Sequence, residues 1–316
     1  MTLKDFAREY SDESACEARL KEVREEHGIK CPQCGCEKHY WDKTNKRWVC
    51  SKCGHKTTLT SGTVMHGSKL PLSYWFMAIH LLTMTKNSFS AAEIQRQLGH
   101  KRYQPIWEMT HKLRDIMGQR DELYELKKIV ELDEAFITAD SESAREVKLS
   151  GGQYKRGAGS ERKQKVLVMV ESTETTPTKK NQKSRKMGHI KMKLIPNGTA
   201  DTVSSLAVES IEGDASLITD DSSSHNSLQE HFVEVRKQVI KGKDAPKALP
   251  WVHIAISNLK SQLLNLHHGI KDTFLQLYLN EFCYKLNRNH FRTSLFERLL
   301  MIAVDYRPVF AHLPYK

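Results

Sequence analysis

Four cysteines in two pairs stand out for their chemistry: Cys31-Pro-Gln-Cys34-Gly and, after fifteen intervening residues, Cys50-Ser-Lys-Cys53-Gly. At this spacing two knuckles bring four thiolates tetrahedrally onto one structural Zn2+. Gly35 and Gly54 follow the pairs, where a tight knuckle needs backbone freedom beside the metal. A redox CxxC usually occurs once, beside a βαβ pattern, so two copies favour zinc. Cys16, Cys36 and Cys283 read as bystander thiols. His39, His55 and His66 have ligand chemistry, but four cysteines already complete the shell.

The second set is acidic. Asp133 lies in Lys127–Ile137, which alternates as a strand, and Asp220, with Asp221 beside it, ends the strand Ala215–Thr219. Two carboxylates brought together repel each other unless divalent cations sit between them, and hard oxygen ligands suit Mg2+ or Mn2+. Such a site activates an attacking oxygen and stabilises a leaving one, as phosphodiester cleavage and strand transfer require. A lone Asp on a strand is more commonly a surface acid. Two of them, each tied to an apolar strand, shift the reading toward a metal site.

The elements that must position these groups follow from periodicity. Around the cysteines, His39–Trp41 and Lys46–Val49 read as the short strands of a zinc ribbon. Pro71 opens a buried helix over 73–86. Ser90-Ala-Ala-Glu93 is a capping box for a short helix ending at Gly99. A second helix follows, with Pro105 at its first position and Ile106, Met109, Leu113 and Met117 on one face. This grammar fits a helix-turn-helix, with Lys101, Arg102, Gln104 and His111 facing DNA; it also fits an ordinary three-helix bundle. Further on, Lys127–Ile137, Lys165–Val170 and His189–Ile195 read as strands and 199–210 as a helix. A strand over 215–219, a short helix over 222–230, a strand over 232–236 and helices over 253–268, 271–288 and 292–304 complete the set. Three strands followed by α-β-α-β-α is the order of the ribonuclease-H-like fold.

Charge adds a partner. The 316 residues hold 49 Lys and Arg against 38 Asp and Glu, for a net +11. Residues 141–193 alone carry fourteen basic and five acidic side chains. Concentrated basic charge attracts phosphate backbones through counterion release, although a solvated loop has the same composition. Lys155 and Arg156 lie here in GGQYKRGAGSERK, a basic loop without the ending of a nucleotide P-loop. No apolar run approaches the roughly 18 residues of a membrane span, and the acidic N-terminus lacks a signal core. A cytoplasmic, nucleoid-associated protein is expected.

Taken in order, these features resemble the bacterial insertion-sequence transposases with an N-terminal zinc ribbon, a helix-turn-helix and a DDE-type catalytic domain, often called ISXO-like. The two cysteine knuckles, Thr60-Ser-Gly-Thr-Val-Met, Pro71-Leu-Ser-Tyr-Trp-Phe and Ser90-Ala-Ala-Glu-Ile carry the first part. Val130-Glu-Leu-Asp-Glu, Ile218-Thr-Asp220, Trp251-Val-His-Ile-Ala-Ile-Ser-Asn258 and Glu281–Arg288 carry the rest. The resemblance implies a multidomain α+β protein: a helical lead and zinc ribbon over 1–68, a helix-turn-helix domain over 69–125, and a ribonuclease-H-like catalytic domain over 126–316. It implies double-stranded DNA partners (terminal inverted repeats and target), a homo-oligomer in the synaptic complex, and Asp133, Asp220 and Asn258 as catalytic residues with Mg2+ or Mn2+ on the two acids. Asn258 departs from the usual third acid: its amide oxygen can coordinate a metal but cannot act as a base. Glu131 and Asp221 are alternative sources of that charge. His253 precedes the same helix and either contacts DNA or the leaving group or packs. Lys285 and Arg288 either neutralise phosphate or sit on a solvated face. The competing functions are a catalytically inactive, transposase-derived DNA-binding protein and a structure-selective nuclease of the same fold.

Overall fold

Capping and apolar periodicity set most helix ends. In this computed structural model residues 1–157, 159–176, 185–195, 199–238, 249–266 and 270–307 are described. They form a mixed helix-and-sheet protein divided into two units, Met1–Gln119 with Arg288–Lys316, and Arg120–Asn287.

In the first unit, α1 (Leu3–Glu9) starts on a Thr2/Asp5 capping box and α2 (Glu13–His27) on Asp12. The ribbon strands β1 (His39–Asp42), β2 (Arg47–Cys50) and β3 (Lys56–Thr58) pair antiparallel in that order. α2 braces them: the Trp48 indole donates to Glu25 at 3.1 Å, and Arg24 donates to the carbonyls of Thr58 and Leu59. Glu13 also reaches out of α2 to accept the amides of Leu72 and Ser73, the first residues of α3 (Leu72–Met84). Pro71 offers no side-chain cap there, so Glu13 supplies the missing acceptor.

α4 (Ala91–Leu98) follows the expected Ser90 cap, although only half of the box forms. Ser90 accepts from the Glu93 amide, while the Glu93 carboxylate turns to Arg96 and Gln97. α4 ends at a left-handed Gly99, and α5 (Tyr103–Glu122) starts two residues ahead of Pro105. The last helix, Leu295–Asp305, belongs to this first unit. The Val64 amide donates to the Ala303 carbonyl, and Arg19 pairs with Glu297 at 2.8 Å. The final helix packs beside α3 and α2 of this unit.

The second unit is built on five strands: β4 (Ile129–Thr138), β5 (Lys163–Glu174), β6 (Arg185–Ile195), β7 (Ser216–Thr219) and β8 (Glu234–Lys237), ordered β6-β5-β4-β7-β8. The first three pair antiparallel, and β7 and β8 run parallel to β4. Helix α6 (Glu142–Leu149), to which the sequence reading assigned no element, lies between β4 and the basic loop that precedes β5; Ser141 caps it. α7 (Ala200–Val208) covers one sheet face, burying Val203 and Ala207 against Leu132, Leu167 and Leu217. α8 (Pro250–Leu266) and α9 (Asp272–Asn287) cover the other, where Val252, Ala255, Leu259 and Leu279 meet Ala135, Val168 and Ile218. β5 is apolar toward both layers, which explains its uninterrupted Val-Leu-Val-Met-Val run.

α9 also closes an edge. Outward backbone groups of β6 would otherwise be open to strand addition. Asn287 both accepts from the Ile190 amide and donates to its carbonyl, and Gln276 does the same for Leu194 N–H and Met192 C=O. The amide side chains act as a surrogate strand.

Candidate functional site

The four knuckle cysteines converge. Their sulfurs lie within 4.8 Å of one another, with Cys31–Cys53 at 3.5 Å and Cys34–Cys50 at 3.6 Å. Four sulfurs at about 2.3 Å from a central Zn2+ stand roughly 3.7 Å apart, so the set fits that ion. Gly35 and Gly54 adopt positive φ, 69° and 73°, as the knuckles require. Backbone amides, that of Cys53 first, lower the Cys50 thiol, whereas burial and the neighbouring thiols raise Cys34 and Cys53, so without a cation the negative charge of the set concentrates on Cys50. Cys36 contacts the Lys38 carbonyl, Cys16 and Cys283 are buried elsewhere, and His39 turns its Nδ1 to the Glu37 carbonyl.

The acids meet through sheet register. β4 and β7 run parallel with Leu132 opposite Thr219, so Asp133 and Asp220 follow as neighbours on adjacent strands. Neighbouring strands lie about 4.8 Å apart. Both residues share the α8 face: Asp133 alternates with Ala135 and Ile137, and Asp220 with Ile218, all on that side of the sheet. Asp133 is mostly buried and Asp220 about half exposed, at 17% and 48% of the side chain. Burial pushes the Asp133 carboxyl above its usual range, and the Asp220 charge pushes it the same way. A cation between the two would relieve both effects, and the donor set of hard carboxylate oxygens fits Mg2+ or Mn2+.

Glu131 shares Asp133's strand face, but it has another job. It is fully buried, and its Oε2 accepts the amides of Trp251 (2.8 Å) and Val252 (3.2 Å), capping the first turn of α8. The group of α8 that faces Asp133 is His253, whose Nε2 lies 3.9 Å from Oδ2. Asn258 stands exposed on the same helix, five residues on. Five residues turn a helix by about 500°, so Asn258 and His253 project about 140° apart. Asp221 is exposed beside Asp220.

One neighbour of the acids escaped the sequence reading. Asp220 Oδ1 accepts from the Ser222 amide at 3.1 Å and lies 2.9 Å from Nδ1 of His225, which is fully buried in the 3-10 segment Ser223–Glu230. A histidine after three serines carries no periodic signal, and in sequence it reads as a solvated residue.

The residues expected to face DNA divide. Lys101, Arg102 and Gln104 are exposed at the start of α5. His111 is corrected: it is fully buried on the inner side of that helix, against Trp107, with Nδ1 at 2.9 Å from the Trp107 carbonyl. It follows Met109 and Thr110, both buried, on the side of the helix that faces the core. Lys155 and Arg156 are exposed, and the loop they occupy is partly organised by Glu161, which accepts the Lys155 amide and pairs with its ammonium group. Lys285 is buried beside Glu281 and so has no solvated face.

Residues 125–287 match the family model described as the ISXO2-like transposase domain, and residues 11–56 that of the transposase zinc-ribbon domain. A Halobacterium salinarum protein described as an uncharacterized protein in transposable element ISH50 is 23% identical over 285 residues, covering 86% of this chain and 90% of that protein. Among the described residues no helix is long and apolar enough to cross a membrane.

Proposed function

The chain belongs to the ISXO2-like transposase family, and from that premise we propose that it binds the terminal inverted repeats of an insertion sequence and catalyses metal-dependent cleavage and joining of DNA strands. The observation that carries this reading is the pairing of Asp133 and Asp220 at adjacent positions on parallel strands beneath the first turn of α8. The strand order β6-β5-β4-β7-β8, with three antiparallel strands followed by two parallel ones, supports a ribonuclease-H-like sheet.

Asp133 and Asp220 would hold the divalent ions; Asn258 would serve as a neutral third donor only if α8 turned it toward the acids, since it projects about 140° from His253. Divalent ions held there would supply Lewis acidity to the attacking and leaving oxygens of a phosphodiester. The protein's part is orientation. β4 and β7 fix the separation of the two carboxylates, and Glu131 fixes α8 over them. Burial of Asp133 keeps bulk water from screening the charges. His253 stands close enough to Asp133 to contact a DNA phosphate or the leaving group.

Recognition of the element's ends falls to the helix-turn-helix formed by α4 and α5, through Lys101, Arg102 and Gln104, with Lys155 and Arg156 contacting phosphates from the second unit. Two ends must be brought together, so the working form is a homo-oligomer. The protein acts on chromosomal DNA in the cytoplasm.

Incubation of the purified protein with pre-cleaved element ends and a target plasmid in Mn2+ tests this. Joined products are the expected result. A second reading, a DNA-binding protein that has lost catalysis, is favoured by the uncharged, exposed Asn258. It predicts tight end binding with no cleavage or joining in either Mg2+ or Mn2+.

A further inference from the structure

The chain beyond Asp220 is tied down in a way that ordinary loop packing does not require. Nδ1 of His225 lies 2.9 Å from Asp220 Oδ1 and 2.5 Å from the Thr219 hydroxyl, in a fully buried position. The 3-10 segment carrying His225 is itself anchored to β4. Ser224 donates to Glu134 Oε1 at 3.0 Å, and Glu134 pairs with Lys165 of β5 at 2.7 Å. Glu134 is the residue after Asp133, so the two acids and the segment between them and His225 form one hydrogen-bonded assembly.

Nδ1 of His225 faces two oxygens, the Thr219 hydroxyl at 2.5 Å and Asp220 Oδ1 at 2.9 Å. A carboxylate offers only lone pairs, so His225 holds Asp220 in the tautomer that carries its proton on Nδ1, with the Thr219 hydroxyl oxygen as the second acceptor of that N–H. His225 and the Ser222 amide both act on Oδ1, which leaves Oδ2 available for a cation.

We propose that His225, with its proton on Nδ1, is a positioning residue for the metal site and fixes the Asp220 carboxylate in the orientation that binds a divalent ion. This rests on the metal reading given under Proposed function. Partners that orient a metal ligand commonly change affinity by about 10- to 100-fold when removed. A histidine that merely fills space would make no such difference once its volume is replaced.

The test uses the full-length, zinc-loaded protein without DNA and follows Mn2+ binding by titration calorimetry. Four variants are compared with the wild type: His225→Asn, whose amide N–H falls near the position of Nδ1; His225→Gln, whose amide falls beyond it; His225→Phe, which keeps a ring but no donor; and Asp220→Asn. The expected result is near wild-type affinity for H225N, a loss of about 10- to 100-fold for H225F and H225Q, and loss of the site in D220N. Circular dichroism and zinc content check the fold. If H225F does not fold, the H225N and H225Q pair carries the decision, and equal affinities in the two overturn the proposal. H225F binding Mn2+ like wild type while D220N does not would sink this inference alone. D220N binding like wild type would sink the metal reading and the inference with it.

Discussion

The cysteine cluster and the carboxylate pair both gather ligands for a cation, and they are assembled in different ways. Cys31 and Cys53, the outermost ribbon ligands, are 22 residues apart in the chain, and each knuckle is closed by its own backbone. Asp133 and Asp220 are separated by two strands and two helices, and only the parallel register of β4 with β7 brings them together. The ribbon site depends on local turn geometry. The acid site depends on the whole sheet, on Glu131 holding α8, and on the anchored segment after Asp220. Damage far from the acids should therefore reach them, whereas damage far from the cysteines should not reach the zinc.

The largest effect is expected at the acids themselves. Asp133→Asn or Asp220→Asn should lower strand cleavage by at least about a thousandfold, since metal stabilisation of the transition state is worth several kcal/mol. Binding to the element's ends should be unchanged, as gel-shift titration would reveal; retention of full cleavage would remove that residue from the site. Next comes the ribbon. Cys50→Ser should cost the protein its zinc by metal analysis and expose residues 31–58 to proteolysis, while Arg120–Asn287 keeps its melting transition. If that second unit melted together with the ribbon, the contrast between local and distributed assembly would fail.

Glu131 offers an intermediate case, acting only through the fold. Glu131→Ala leaves two buried amides of α8 without an acceptor, at about 1–3 kcal/mol each. It should lower the melting temperature and also weaken cleavage, with Glu131→Gln milder on both counts because one carbonyl remains. Melting and single-turnover cleavage measured on the same samples would show whether the two effects move together. Asn287→Ala, which uncovers the Ile190 backbone at the edge of β6, should destabilise by a similar 1–3 kcal/mol or so and promote aggregation visible by light scattering.

How much could be read from sequence follows the same division. The knuckle spacing, the glycines at positive φ and the Ser90 cap are local, and they were legible from residue types alone. The strands were legible too, because the apolar run of β5 and the alternation of β4 mark buried surface. Helix α6 was hidden by its shortness and its single buried residue, Ala144, and only its Ser141 cap announced it. Glu131 illustrates a deeper limit: it shares a strand face with Asp133, so sequence offers it as a metal ligand, whereas tertiary contact makes it the cap of a distant helix. His111 failed differently. Polar residues near a helix start suggest a DNA face, but its position on the inward stripe buries it against Trp107. The smallest effects follow from that correction. Lys101→Ala and Arg102→Ala should each reduce the salt dependence of DNA binding by about one unit of slope. His111→Ala should leave that slope unchanged and lower stability instead.

The central claim is that Asp133 and Asp220 share a divalent cation, and anomalous diffraction from crystals soaked in Mn2+ tests it most directly. A manganese peak is expected within coordination distance of both carboxylates, absent in Asp220→Asn crystals, alongside a separate zinc peak at the four cysteines. Manganese bound elsewhere, with the two acids left hydrogen-bonded to protein and water alone, would contradict it.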